Sequence, residues 1–485
     1  MNPSRWPRRL PALALLCAPV VASAHSFGRL YNLPMPFWLY AYGAAASLIV
    51  SFVTVGWFVT AQPAVAAAKG FDLSQAGWLQ ALRRLRVMTL LRALSVFCLL
   101  LCLATGFFGH RNPYTNFSMT FFWIVFLLGF SYLTALLGDL YATLNPWRVI
   151  SDLLARIWPR YDHGRLRYPA ALAYWPALAL YMGLIWVELF TYMRPFTLAL
   201  LLGGYSLLNL FGVWLIGARD WFRYCEFMGV FLRLIALLSP VDYARGRLRL
   251  RAPFAGFLQT RAEHTSLLLF VLFMLSSTAF DGLRATMPWM KLFWHDPLGI
   301  LGLWVDGKPI LQYGSLRGWY DLWEGFCLLL SPLLYWAVYL FFLALAKGIT
   351  RSTLSLHELS LRFAFTLLPI ALVYNITHYY TLILTQGVKI ISLASDPFGY
   401  GWDLLGTAGL WSAPILPGMA LVWHTQVGLI LLGHIVSVWL AHHEALRSFP
   451  GRWQAVASQL PMLVLMVLFT TAGLWILSQP LQVGR

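Results

Sequence analysis

Apolar stretches about 20 residues long recur along the whole chain, separated by polar loops. Ten of them run over 37–61, 87–108, 118–138, 170–190, 196–216, 265–285, 321–346, 363–386, 414–441 and 456–478. Each is long enough to cross about 30 Å of hydrocarbon as a helix. Helix is required there, because lipid offers no partner to a free backbone amide. The pattern predicts an all-α fold, a polytopic membrane helix bundle of about ten transmembrane helices. One further stretch, 221–240, is apolar enough to span but carries Arg223, Glu226 and Arg233.

Charge arbitrates that stretch. With ten spans and the mature N-terminus outside, the loops after spans one, three, five, seven and nine hold most of the Lys and Arg. If 221–240 also crossed, the basic run Arg245–Arg261 would face outside. The positive-inside rule therefore predicts that both mature termini lie outside and that 221–240 is an inside amphipathic or re-entrant helix. Residues 1–24 read as a signal peptide: Arg5, Arg8 and Arg9, an apolar run Leu10–Val21, then Ala22-Ser23-Ala24 as a cleavage site. The domain reading is that leader plus one helix-bundle domain, 25–485, in a bacterial inner membrane.

Composition agrees. The chain is 60% hydrophobic and 11% charged, against about 25% charged for soluble domains. A soluble enzyme, a disordered chain and a disulfide scaffold are excluded. The net charge of +17 is explained by basic loops on one membrane face, so the partner is a lipid bilayer and not nucleic acid. Cys17 falls in the leader; Cys98, Cys102, Cys225 and Cys327 lie in or beside apolar segments and predict no structural disulfide, and Cys98 and Cys102 read as inert thiols.

Ionisable groups inside a bilayer are costly, and several map to the outer half of the bundle. Glu188 lies near the end of the fourth span, and Asp281 and Arg284 close the sixth. Asp321 and Glu324 open the seventh, on one face. His378 lies in the eighth span, near Tyr374 and Asn375, with Pro369 expected to kink the helix below them. His424 and His434 lie in the ninth span, about 80° and about 15 Å apart, so they cannot share one ion. Imidazoles and carboxylates from different helices suit a divalent metal. Cleavage after Ala24 would leave His25 with an α-amino nitrogen and an imidazole for a metal such as copper. His442 and His443 read as solvated residues at the inner face. Asp-Pro-x-Gly occurs twice, at Asp296–Gly299 and Asp396–Gly399, and reads as a structural turn.

Several segments resemble a known family. They are His25-Ser26-Phe27-Gly28, Leu33–Tyr40, Asn145-Pro146-Trp147-Arg148, Tyr174-Trp175-Pro176, Phe280-Asp281-Gly282, Tyr374–Tyr379, Ser395–Asp403 and Val422–His442. In this order they resemble bacterial membrane proteins called fenitrothion hydrolases. The resemblance implies hydrolysis of lipophilic organophosphorus esters at the membrane. That family's pattern often has a second histidine where this chain has Asn375.

The leading expectation is thus a membrane-embedded hydrolase, or a subunit of one with partner membrane subunits, acting on a lipophilic small molecule. Glu324, Asp281 and Glu188 are the catalytic candidates. His378, His424, His434 and His25 are the metal candidates. The alternatives are a transporter or metal-handling permease using intramembrane His, Asp and Glu, and a redox subunit with two histidines on haem.

Overall fold

The computed structural model describes residues 34–59, 70–244, 247–411, 413–415 and 417–479. The leader and His25 lie outside the described residues. Ten helices are long and apolar enough to cross a membrane. They are α1 (Phe37–Phe58), α2 (Val87–Phe108), α3 (Phe117–Leu137), α4 (Ala170–Phe190), α5 (Pro195–Ile216), α7 (Thr265–Arg284), α8 (Pro309–Thr350), α9 (Leu356–Thr385), α10 (Met419–Ser448) and α11 (Arg452–Ser478). A shorter apolar helix, α6 (Phe227–Leu238), stands between α5 and α7. The chain fits a multi-pass, all-α membrane protein.

Local chemistry sets the helix starts. Asn116 caps α3 by accepting from Ser118 N, and His264 caps α7 by accepting from Ser266 N. Pro195 opens α5, where its missing N–H costs nothing. In α9 a 3-10 turn, Ala364–Leu367, separates two α-helical parts, Leu356–Phe363 and Leu368–Thr385, and Pro369 sits in the first turn of the second. The expected kink is therefore a change of helix type at that junction.

Three short strands decide the parity of the crossings. β1 (Phe71–Asp72) lies in the loop after α1, and β2 (Val241–Ala244) and β3 (Arg247–Leu250) lie in the loop after α6. β3 pairs antiparallel with both, with Phe71 and Val241 opposite Leu250. β1 and β3 must therefore sit at the same end of the bundle. The four crossings of α2 to α5 allow this; a fifth by α6 would separate them. Arg447 Nη1 donates to Leu258 O, and Arg452 to Gly56 O and Trp57 O, which brings the loop after α10 to this basic end. At the opposite end, His110 N donates to Phe398 O and Arg284 Nη1 to Leu189 O.

Between the two readings of 221–240, the structure favours re-entry. Phe227, Met228, Val230, Leu232, Leu234 and Ile235 are all buried. α6 packs on α4, on the end of α3 and on α9, so it does not lie flat on the bundle's surface. Its start is fastened by Glu226, which is fully buried. Tyr205 Oη, Asn145 Nδ2 and Gly229 N all donate to its carboxyl group. Burial pushes the Glu226 carboxyl up to about 7 despite these donors. The folded protein thus holds this proton more tightly than the unfolded chain. Stability from this group is fully present below about pH 4.5, falls as pH rises to about 7, and is then flat, a loss of about 3 kcal/mol. Glu226→Gln should flatten that slope in pH-dependent unfolding in detergent. An unchanged slope would show that Glu226 does not set it.

Two helices carry the interior. The apolar window of α7 is 89% buried and that of α9 is 78%, against 11% for α2, so α7 and α9 form the centre. α11 meets α9 through Gly473, whose Cβ position is occupied by the Tyr374 ring. Tyr374 Oη donates to Phe469 O at 2.8 Å. Gly473→Val should overpack this contact and lower stability by about 1–3 kcal/mol. A melting temperature equal to that of the unmodified protein would contradict it.

Two ends differ from the expected boundaries. α8 extends past 321–346 because Tyr313 and Tyr320 pack on Trp294, outside the apolar stretch. α10 runs on to Ser448 and buries His442, His443 and Glu444, which corrects their placement in solvent. His442 Nε2 donates to Val59 O and accepts at Nδ1 from Gln459, while Arg261 pairs with Glu444 at 3.2 Å. Tertiary partners make the burial of His442 and Glu444 tolerable, whereas His443 Nδ1 is buried without a hydrogen-bond partner. Both Asp-Pro-x-Gly segments are turns in which the Asp carbonyl accepts from the Gly N. Each Asp carboxylate also accepts from two backbone amides.

Candidate functional site

A cavity of about 370 Å³ lies among α3, α4, α7 and α9, with α6 below it. That volume suits a small organic ligand. Most of the wall is apolar. The polar exceptions include Glu188 of α4, Asp281 and Arg284 of α7, and Asn375 and Tyr379 of α9. The last three turns of α7 and the middle of α9 deliver these groups because the two helices pack along their length.

Asp281 is the hub. It is 3% exposed, and its Oδ2 accepts from His378 Nε2 at 2.9 Å and from Tyr379 Oη at 2.8 Å. A carboxylate so held is fixed in direction and polarises its imidazole partner. Tyr132 Oη donates to Asn375 Oδ1 at 3.3 Å, joining α3 to the same wall. Arg284 stands one turn beyond Asp281. Its Nη2 meets Glu324 Oε2 at 3.5 Å, and its guanidinium lies over the Phe190 ring. Its Nε–H is buried and makes no hydrogen bond. A buried donor without a partner is costly, and here it belongs to a residue that lines the cavity. Together these groups can orient a base and supply a cationic donor to a developing negative charge.

The candidates read from the sequence separate into two sets. Glu188, Asp281 and His378 come together at or behind the cavity. Glu324 does not line it. It is wholly buried one layer back, accepting from Tyr320 Oη at 2.6 Å and Trp289 Nε1 at 3.1 Å, and holding Arg284. Asp321, expected on the same face, is exposed. An α-helix rotates about 100° per residue, so three residues leave an offset of about 60°.

The histidines do not assemble. His424 is exposed, and its Nδ1 donates to Ala420 O one turn back. His434 is fully buried against Tyr374; its Nδ1 donates to Ile430 O, and its Nε2 has no hydrogen-bond partner. His378 is engaged by Asp281. Among the described residues, no group of three His, Cys, Asp or Glu is placed to hold a metal ion. These donors do not fit the metal set expected from the sequence.

Sequence reasoning passed over Tyr379 and Arg284 as cavity groups. The available signal was the polar run Asn375–Tyr380 within an apolar helix. It also passed over the Glu226 cluster, which draws on Asn145, Tyr205 and Gly229 from three separate segments. Compared with known proteins, the chain matches no family model, no curated protein and no solved structure.

Proposed function

We propose that the chain is a membrane-embedded hydrolase of small, lipophilic esters of the phosphotriester class. The observation that carries this reading is Asp281. It is held by His378 and Tyr379 and opens, with Glu188 and Arg284, into a mostly apolar cavity. The family resemblance of the sequence points the same way.

In this reading water bonds through its oxygen to phosphorus. The bond from phosphorus to the leaving oxygen breaks, and that oxygen keeps the electron pair. The water proton passes to the Asp281 carboxylate as the new bond forms. His378 and Tyr379 aim the carboxylate. Arg284 answers the charge that grows on the non-bridging oxygen, in surroundings where a preorganised cation acts strongly. Glu188 is the second carboxyl group of the cavity, and in this reading it exchanges a proton with the leaving oxygen.

The test is release of a nitrophenolate from a dialkyl nitrophenyl phosphotriester by the purified protein in lipid nanodiscs. Turnover above empty nanodiscs is expected. Background-level release overturns the proposal. One observation favours a second reading, a proton- or cation-coupled transporter: the His378–Asp281 pair joins two buried spanning helices. Pumped flux in liposomes without ester cleavage would select it.

A further inference from the structure

The cavity is walled by packed helices on only some of its sides. α3 packs on α9, α9 on α7, and α7 on α4. α6 closes the floor with Phe227, Met228 and Phe231, packing on α4 and on the end of α3. Between α3 and α4 there is no extended helix contact among the described residues. α3 instead joins α2 and α5, while α4 joins α7 and α8.

The helix faces beside this gap are mostly apolar, with Thr120 of α3 and Tyr181 and Glu188 of α4 as the polar exceptions. α3 contributes Trp123, Ile124, Leu127 and Leu128 to the cavity, and α4 contributes Leu184 and Ile185. These residues sit inside their spans; Ile185 is about 7.5 Å from the end of α4 by helical rise. That depth is hydrocarbon rather than headgroup. The α3 wall is also not an ordinary α-helix. Thr120–Phe130 is π-helical, a rare form that collects at functional positions. Every residue from Trp123 to Phe130 is half-buried, as a wall between a cavity and an open side would be.

We infer that the cavity opens sideways to the bilayer between α3 and α4. Its ligand is a neutral amphiphile delivered from the hydrocarbon. The tail lies along the π-helical face of α3, and the polar centre reaches Asp281 and Arg284. An apolar gap at this depth admits a lipid-dissolved molecule and rejects a hydrated one, because desolvating charge there is costly. The two carboxyl groups and one paired Arg beside the cavity favour an ester without net negative charge. The inference rests on the reading of the cavity as a substrate site.

The experiment needs no turnover, so its failure is distinguishable from failure of the hydrolase reading. A neutral alkyl aryl phosphotriester carrying a diazirine at the end of its alkyl chain is dissolved in proteoliposomes and irradiated. The labelled peptides are then mapped by mass spectrometry. Label on Trp123–Leu128 and on Leu184–Ile185 is expected. Label confined to Tyr114, Tyr192 and Met193 at the cavity's loop-lined mouth would overturn the lateral route. Leu127→Trp, which narrows the gap, should lower labelling of Leu184 and Ile185 several-fold at equal probe per lipid. Undiminished labelling of those two would also overturn it. Should Leu127→Trp fail to stay monodisperse, Ile124→Phe replaces it, and the map on the unmodified protein stands without either.

Discussion

Asp281→Asn should lower kcat/KM for the nitrophenyl triester by about 10²–10⁴-fold, the usual contribution of a positioned general base. The substitution keeps the shape of the side chain and removes its basicity. It leaves the Oδ2 position, to which His378 and Tyr379 both donate, held by an amide oxygen or an amide nitrogen. An amide with its oxygen at that position keeps both partners, and one with its nitrogen there faces both with N–H. KM should change less than kcat, since the lost interaction acts mainly in the transition state. The measurement is steady-state hydrolysis in nanodiscs, with detergent monodispersity showing that the bundle is intact. An Asp281→Asn protein that keeps most of its rate would remove Asp281 as the base. Glu188→Gln, tested in parallel, separates the two carboxyl groups of the cavity.

The second large effect is on stability. Glu324→Ala should cost about 3–5 kcal/mol, because it leaves the Arg284 guanidinium buried without its counter-charge. Tyr320 Oη and Trp289 Nε1 would lose their common acceptor as well. Glu324→Gln should cost less, since the amide oxygen still accepts from Tyr320. The pair Arg284→Met with Glu324→Leu should recover much of the loss, as apolar replacements of buried ion pairs commonly do. Unfolding in mixed micelles reads all of these. If Glu324→Ala melts like the unmodified protein, the pair does not anchor the end of α7.

The same carboxylate shows how a plausible sequence reading can misplace a residue. Glu324 and Asp281 looked alike on the page: acids near the ends of apolar stretches. In the fold Asp281 borders the cavity, whereas Glu324 sits behind it and fixes Arg284. The difference lies in how α8 rotates against α7, and no spacing within α8 encodes that. His442 and His443 were misplaced for a related reason. They follow the apolar core of α10, but α1, α11 and the loop before α7 cover that end of the helix.

The sequence by itself determined the number of spans, their approximate limits and the all-α class. Those follow from the cost of an unpaired backbone amide in hydrocarbon, which is a local property of each stretch. It also identified 221–240 as a segment that does not cross, because charge distribution between loops is a linear quantity. Only the tertiary structure decided that this segment re-enters the bundle, that Asp281 meets His378 and Tyr379, and that α3 and α4 stand apart. Those depend on which helix faces meet and at what rotation. Side-chain packing sets both, through contacts between residues nearly 100 positions apart, as in Asp281 and His378.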